Sequence, residues 1–155
     1  LVTCAGIGSG ARRFGEYAID EWKRVLDVNL MGTMYAVRAA LPSMLARGRG
    51  AIVTIGSSFG VMGRDTQAPY ATSKAAVIHL TRCLAIDLGS SGVRANCVCP
   101  GLTDTPLTSF LQDPALKDLA AAHHALHAFD RAGKPDEIAD VIVFLLSDQA
   151  RLVHG

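Results

Sequence analysis

The 155-residue sequence predicts an α/β domain built as a doubly wound parallel sheet. Two observations carry that prediction. Short apolar runs alternate with long stretches of helical periodicity, the pattern of strand-helix-strand units whose sheet is covered on both faces. Each apolar run is also entered or left through Gly or Pro, which end regular elements. Half of the residues are hydrophobic, enough for one core, and neither an internal repeat nor a low-complexity linker divides the chain, so residues 1–155 are read as a single domain.

The first strand is expected over 1–5, where Leu1, Val2, Thr3, Cys4 and Ala5 form a buried-strand pattern. A long helix follows over 20–47, with Trp22, Val25, Asn29, Thr33, Val37, Leu41 and Met44 recurring at steps of three and four. Asp20 is its expected N-cap, Glu21 suits its first turn, and Pro42 predicts a kink or a new turn near its end. The second strand spans 51–56 through Ile52, Val53 and Ile55. A second helix over 69–89 opens on Pro69, carries Val77, Ile78, Leu84 and Leu88, and stops on Gly89. The third strand covers 93–99, with Val93, Ala95, Cys97 and Cys99 on one face. Residues 115–128 are helical in composition, and a last helix over 135–147 opens on Pro135, Asp136 and Glu137.

Several function classes fall away on composition. Fifteen Lys and Arg stand against fourteen Asp and Glu, with no basic cluster beyond Arg12 and Arg13, which argues against a nucleic-acid or membrane-surface partner. No apolar stretch approaches the roughly 20 residues of a membrane-spanning helix, and no signal segment opens the chain. Four cysteines without a CxxC pair are too few for a disulfide framework, so they are read as reduced and the protein as cytoplasmic. Because the chain opens inside a strand pattern and stops at Gly155, it is expected to be part of a larger domain.

Chemistry is concentrated in a few places. Tyr70 and Lys74 stand four apart on a predicted helix, which sets a phenol beside an ammonium group on one face. A phenol of ordinary pKa about 10 works poorly as an acid or base near neutrality, and a neighbouring cation favours its ionised form. Such pairs also occur on solvated helix faces. Ser57 follows the second strand, where the carboxyl ends of parallel strands face a ligand crevice, and Ser58 competes with it. Asn29 falls in the apolar stripe of the long helix, where its polar groups need a partner or a water. Pro100 and Gly101 turn the chain sharply after the third strand, letting backbone approach a ligand.

Together these residues resemble the short-chain dehydrogenase/reductase family over nearly the whole chain. The family's order and spacing of Asn, Ser, Tyr and Lys fit Asn29, Ser57, Tyr70 and Lys74, and its Ser-to-Tyr interval selects Ser57 over Ser58. Pro100, Gly101 and Thr105 match its Pro-Gly turn, and Gly133–Ile138 with Phe144–Asp148 look like its last helix. The resemblance implies a Rossmann-like fold, incomplete here, with the N-terminal strand-helix units and the closing strand absent and on the order of 80 residues expected upstream. It further implies hydride transfer between NAD or NADP and a secondary alcohol or ketone. Tyr70 would be the general acid/base, Lys74 would lower its pKa and hold the nicotinamide ribose, Ser57 would polarise the substrate oxygen, and Asn29 would hold a relay water.

Further roles follow from the same resemblance. Pro100, Gly101, Leu102, Thr103 and Thr105 would meet the carboxamide and phosphate side of the cofactor, with Ala5 and Gly6 under its adenosine half. Phe59, the 61–67 loop, Leu102 and a 108–127 lid would shape the substrate pocket. A homodimer or homotetramer would form through the helices at 20–47 and 69–89.

Two departures stand out. Thr3 and Cys4 replace the Asn pair of the family's first motif, and no TGxxxGxG phosphate loop occurs. They leave room for an alternative, a non-catalytic dimerisation module that binds no cofactor. Residues 6–11 fit GxGxxG/A, but no clean helix and no acidic strand end follow, so they are read as a loop. His123 and His127 have zinc-compatible spacing but no third ligand, and no metal is expected. Cys97 and Cys99 are read as core thiols and His79 as a helix-interface residue.

Overall fold

The computed structural model describes residues 1–155 apart from 126, 127 and 130. Three parallel strands, β1 (Val2–Thr3), β2 (Gly50–Ile55) and β3 (Val93–Val98), form a sheet in the order β1-β2-β3. Val2 pairs with Val53, and β2 runs in register with β3 from Gly50 opposite Val93 to Ile55 opposite Val98. β1 is shorter than predicted because Cys4 and Ala5 leave the ladder and are exposed.

Helices cover both faces, as a doubly wound sheet requires. Alternation along β2 sends Ile52 and Val53 to opposite sides. Ile52, with Val93 and Ala95 of β3, packs against Val37 and Met44 of α2 (Gly32–Ala46) and Leu88 of α4 (Ala68–Leu88). Val53 packs against Leu145 of α6 (Pro135–Leu146) and Ala150. A buried hydrogen bond between the Thr54 and Thr81 hydroxyls, 2.7 Å long, ties β2 to α4. Arg94 donates to the carbonyls of Leu145 at 2.9 Å and Ser147 at 3.0 Å, satisfying the end of α6.

The long predicted helix is present but differs in three details. Its first part, α1 (Ile19–Leu26), is capped at Ala18, whose N–H donates to the Glu21 carboxylate at 3.1 Å. Asp20 therefore lies inside the first turn rather than at the cap. A π-helical turn at Asp27–Met31 joins α1 to α2, and α2 runs through Pro42 to Ala46. Pro42 and Arg38, whose carbonyl loses its helical donor to the proline ring, are both exposed, so water takes the vacant bond. The remaining helices are α3 (Ser58–Val61) and α5 (Lys117–His124), with 3-10 turns before α5. Among the described residues no helix is long and apolar enough to cross a membrane.

Candidate active site

The site forms where β2 and β3 end. After β2 the Gly56 N–H donates to the Val98 carbonyl at 2.8 Å, and the Ser58 N–H donates to the Pro100 carbonyl at 2.9 Å. These bonds bring Ser57 beside the Pro100–Gly101 turn. Ser57 is buried and caps α3, its hydroxyl oxygen accepting the Phe59 N–H at 3.2 Å. An added Cβ at Gly56 would come within 2.9 Å of the Cys99 sulfur and 3.0 Å of the Cys97 sulfur, so both thiols pack beneath the turn that carries Ser57. The two sulfurs are 3.9 Å apart. Burial, with Cys97 beside it, pushes the Cys99 thiol up to about 11, while the Ser57 backbone N–H pulls it down.

Tyr70 and Lys74 stand in the first turns of α4, on the side facing β2. Lys74 is buried and its Nζ donates to the Ile55 carbonyl at 2.8 Å, anchoring the helix to the end of the strand. The same Nζ lies 5.8 Å from the centre of the Tyr70 ring. Burial lowers the Lys74 pKa, opposed by the sulfurs of Cys97, Cys4 and Cys99. Burial raises the Tyr70 pKa above its ordinary 10.0, and a hydrogen bond with Ser57 works the other way.

Asn29 occupies the π-helical turn and is fully buried. Its Oδ1 accepts the Ile7 N–H at 2.8 Å, and its Nδ2 donates to the Ile7 carbonyl at 3.0 Å and to the Ser73 hydroxyl at 2.9 Å. Ser73 in turn donates to the Tyr70 carbonyl at 2.7 Å. The Asn29 backbone carbonyl accepts the Thr33 hydroxyl at 2.9 Å. Gly6 is wedged into this corner: a Cβ there would stand 3.3 Å from Asn29 Oδ1 and 3.5 Å from Lys74 Nζ. Ala5 beside it is exposed.

A cleft of about 930 Å³ opens over these groups. Ser57, Phe59, Tyr70, Gly101 and Leu102 line it as the sequence placed them, together with the 8–11 loop. Thr103 and Thr105 lie further along. Thr103 bridges to Gly133 and donates to the Gly101 carbonyl at 3.2 Å, and the Thr105 N–H donates to Thr108 Oγ1 at 3.1 Å. Residues 6–11 form a loop, with Gly10 at φ 67°, and no helix follows them directly. His123 lines the cleft, whereas His127 lies outside the described residues; among the described residues no cluster of His, Cys, Asp or Glu could hold a metal. His79 is exposed.

Sequence reasoning missed two supports. Ser73 links Asn29 to Tyr70, and its i+3 position from Tyr70 on a predicted helix was the available signal. The buried Tyr17 hydroxyl lies 2.9 Å from the Gly10 carbonyl and 2.7 Å from the Thr66 carbonyl, fastening the 8–11 wall to the segment before α4.

A family model described as enoyl-(acyl carrier protein) reductase matches residues 1–155. The chain is 41% identical over 158 aligned residues to 2-(S)-hydroxypropyl-CoM dehydrogenase 3 of Xanthobacter autotrophicus, covering all of this chain and 61% of that protein. The chain belongs to the short-chain dehydrogenase/reductase family. It superposes on a solved 3-oxoacyl-[acyl-carrier protein] reductase from Brucella melitensis with bound NAD, at TM-score 0.88 and 36% identity, over 99% of this chain and 56% of that one. It also superposes on ElxO with NADP bound, at TM-score 0.92 and 26% identity, over 99% and 62% of the two chains. The chain therefore spans about three fifths of the length of the short-chain dehydrogenases and reductases it matches.

Proposed function

We propose that the protein carrying this chain is an NAD- or NADP-dependent oxidoreductase that interconverts a secondary alcohol and a ketone. The observation that carries this reading is the convergence of Ser57 and Tyr70 on one wall of a cleft at the carboxyl end of β2, with Lys74 buried behind them, its Nζ 5.8 Å from the Tyr70 ring, and Asn29 bracing the helix through Ser73. A nicotinamide cofactor supplies a hydride acceptor or donor when bound. The residues present suit its nicotinamide half: Gly6 leaves the corner beside Lys74 Nζ clear of any side chain, and Gly8, Gly10 and Gly101 offer uncovered backbone along the cleft.

Each residue then has a role that its surroundings allow. Tyr70, kept protonated by burial, gives its phenolic proton to the forming alkoxide or takes it back in the reverse direction. Ser57 orients the substrate oxygen toward that phenol. Lys74 spends one proton on the Ile55 carbonyl and keeps two for the ribose and the phenolate. Asn29, through Ile7 and Ser73, holds the cofactor-side loop and the base of Tyr70 in register. The exposed Tyr35, Leu45 and Ile86 on α2 and α4 support assembly as a homodimer or homotetramer through those helices.

The alternative, a dimerisation module that binds no cofactor, is favoured by Thr3, whose buried hydroxyl has no partner among the described residues where the family carries an amide. Titration with NAD and NADP, followed by nicotinamide reduction assays with secondary alcohols on the protein carrying this chain, separates the two. Saturable binding with Tyr70-dependent turnover is expected. Absence of both in the complete protein would establish the module.

A further inference from the structure

Resting on that oxidoreductase reading, we propose that the cleft takes an uncharged secondary alcohol or ketone with an apolar body and a single reacting oxygen, an alicyclic or aliphatic compound rather than a polyol or a carboxylate. The two hydroxyls placed for one oxygen, Ser57 and Tyr70, face walls of a different character. Phe59 and Met62, from α3 and the residue that ends it, stand on one side, and Leu107, Leu111 and Leu116, from the 3-10 turns before α5, supply others.

No Lys, Arg, Asp or Glu is among the described residues that line the cleft. The guanidinium next along the chain, Arg64, lies 5.6 Å from the centre of the Phe59 ring and pairs with Asp65 at 3.5 Å, outside the lining. A carboxylate or sulfonate entering the cleft would lose its hydration with no Lys or Arg to receive it, the His123 ring being the one basic side chain among the described lining residues.

A polyol fares little better. Thr108 Oγ1 donates to the Thr103 carbonyl at 2.6 Å, and the Ser9 hydroxyl is shared between the Gly10 carbonyl at 3.3 Å and Gln67 Oε1 at 3.4 Å. Those polar groups hold the walls together, and the Leu107, Leu111 and Leu116 side gives additional substrate hydroxyls no side-chain partner. An apolar body, by contrast, gains from removal of its surface from water along the leucine side.

The test is saturation-transfer NMR on the complete protein carrying this chain with cyclohexanol, gluconate and cyclohexanecarboxylate as probes, joined by the Leu116→Lys variant with its fold checked by circular dichroism. Cyclohexanol is expected to bind about tenfold more tightly than either other probe. Leu116→Lys is expected to weaken it and to strengthen the carboxylate. Equal or tighter binding of gluconate or cyclohexanecarboxylate to the parent chain, or no transfer to cyclohexanol, would overturn the proposal. Turnover separates this from the underlying reading: Tyr70-dependent oxidation of a polyol refutes the substrate class alone. Binding of cyclohexanol, with no secondary alcohol oxidised by the complete protein, refutes the oxidoreductase reading alone.

Discussion

The Asn29 side chain and the Ile7 backbone are bonded in both directions, Oδ1 accepting the Ile7 N–H at 2.8 Å and Nδ2 donating to the Ile7 carbonyl at 3.0 Å. An amide side chain here completes the pairing that a neighbouring strand would otherwise give Ile7, after the sheet has ended at Thr3. Asn29→Ala strands both Ile7 groups and takes away the donor to the Ser73 hydroxyl, which keeps its bond to the Tyr70 carbonyl, at a cost of roughly 1–3 kcal/mol. The expected signature is a lower melting temperature together with faster hydrogen exchange at the Ile7 amide. Unchanged exchange there would show that the loop does not depend on Asn29.

Tyr70→Phe removes the proton donor while leaving the ring in place. In the cofactor-loaded protein, turnover is expected to fall by about 10²–10⁴-fold with nucleotide affinity unchanged, measured by steady-state kinetics and calorimetry. Activity within a few-fold of the parent would exclude Tyr70 as the acid/base.

Protonation of Tyr70 has its own readout. Its pKa in the folded chain is raised above the unfolded value of 10.0, so the folded state holds this proton more tightly. The associated stability is complete below pH 10 and is lost as pH rises through the folded value. Ser57→Ala removes the opposing hydrogen bond and should move the phenol's titration further upward in ultraviolet difference spectra; a downward move would contradict the Ser57 contact.

Gly60 closes the gap between α3 and α4. A Cβ there would lie 2.7 Å from the Lys74 carbonyl carbon and 2.8 Å from the Ala75 nitrogen, both backbone atoms that cannot rotate away. Gly60→Ala should therefore push α3, and Ser57 at its cap, off α4, costing about 1–3 kcal/mol by overpacking. Thermal unfolding gives the cost. A melting temperature equal to the parent's would mean that α3 is less firmly seated than its contacts indicate.

Glu137 gives the clearest acid-range prediction. Hydrogen bonds from Arg131 at 2.7 and 2.8 Å, and from the Lys134 N–H at 2.7 Å, lower its carboxyl to about 2 from 4.5. A depressed folded value adds stability above the unfolded pKa of 4.5, and that stability is lost as pH falls through about 2. The group is exposed, so the effect on unfolding is small, and carbon-detected NMR titration is the direct measurement. A midpoint near 4.5 would show that the Arg131 clamp is open in solution.

The long helices were legible because their apolar steps repeat over many turns and Pro or Gly marks three of their ends. The grouping of Ser57, Tyr70 and the buried Lys74 was legible because spacing along one strand end and one helix carries it. Local cap chemistry was not: Asp20 has the right residue type, yet Glu21 reaching back to Ala18 sets the start two positions earlier in the chain than an Asp20 cap would. Pro42 misled for a physical reason, since an exposed helix face lets water replace the lost bond. The Ser57 influence on Tyr70 depends on a contact between two elements, which no spacing within either element discloses.

The π-helical turn at Asp27–Met31 is also a slip of phase. The buried positions Val25, Asn29, Thr33 and Val37 fall every fourth residue, and in an unbroken α-helix such a row would drift by about 40° at each step. The wider turn lets one inward face continue through both halves. Deleting one residue from 27–31 would restore regular winding by removing the extra residue that the wide turn absorbs. The fourth-residue spacing from Val25 to Val37 would then be broken and Asn29 would lose its place opposite Ile7, so a change of length here should cost more than any substitution that spares Asn29.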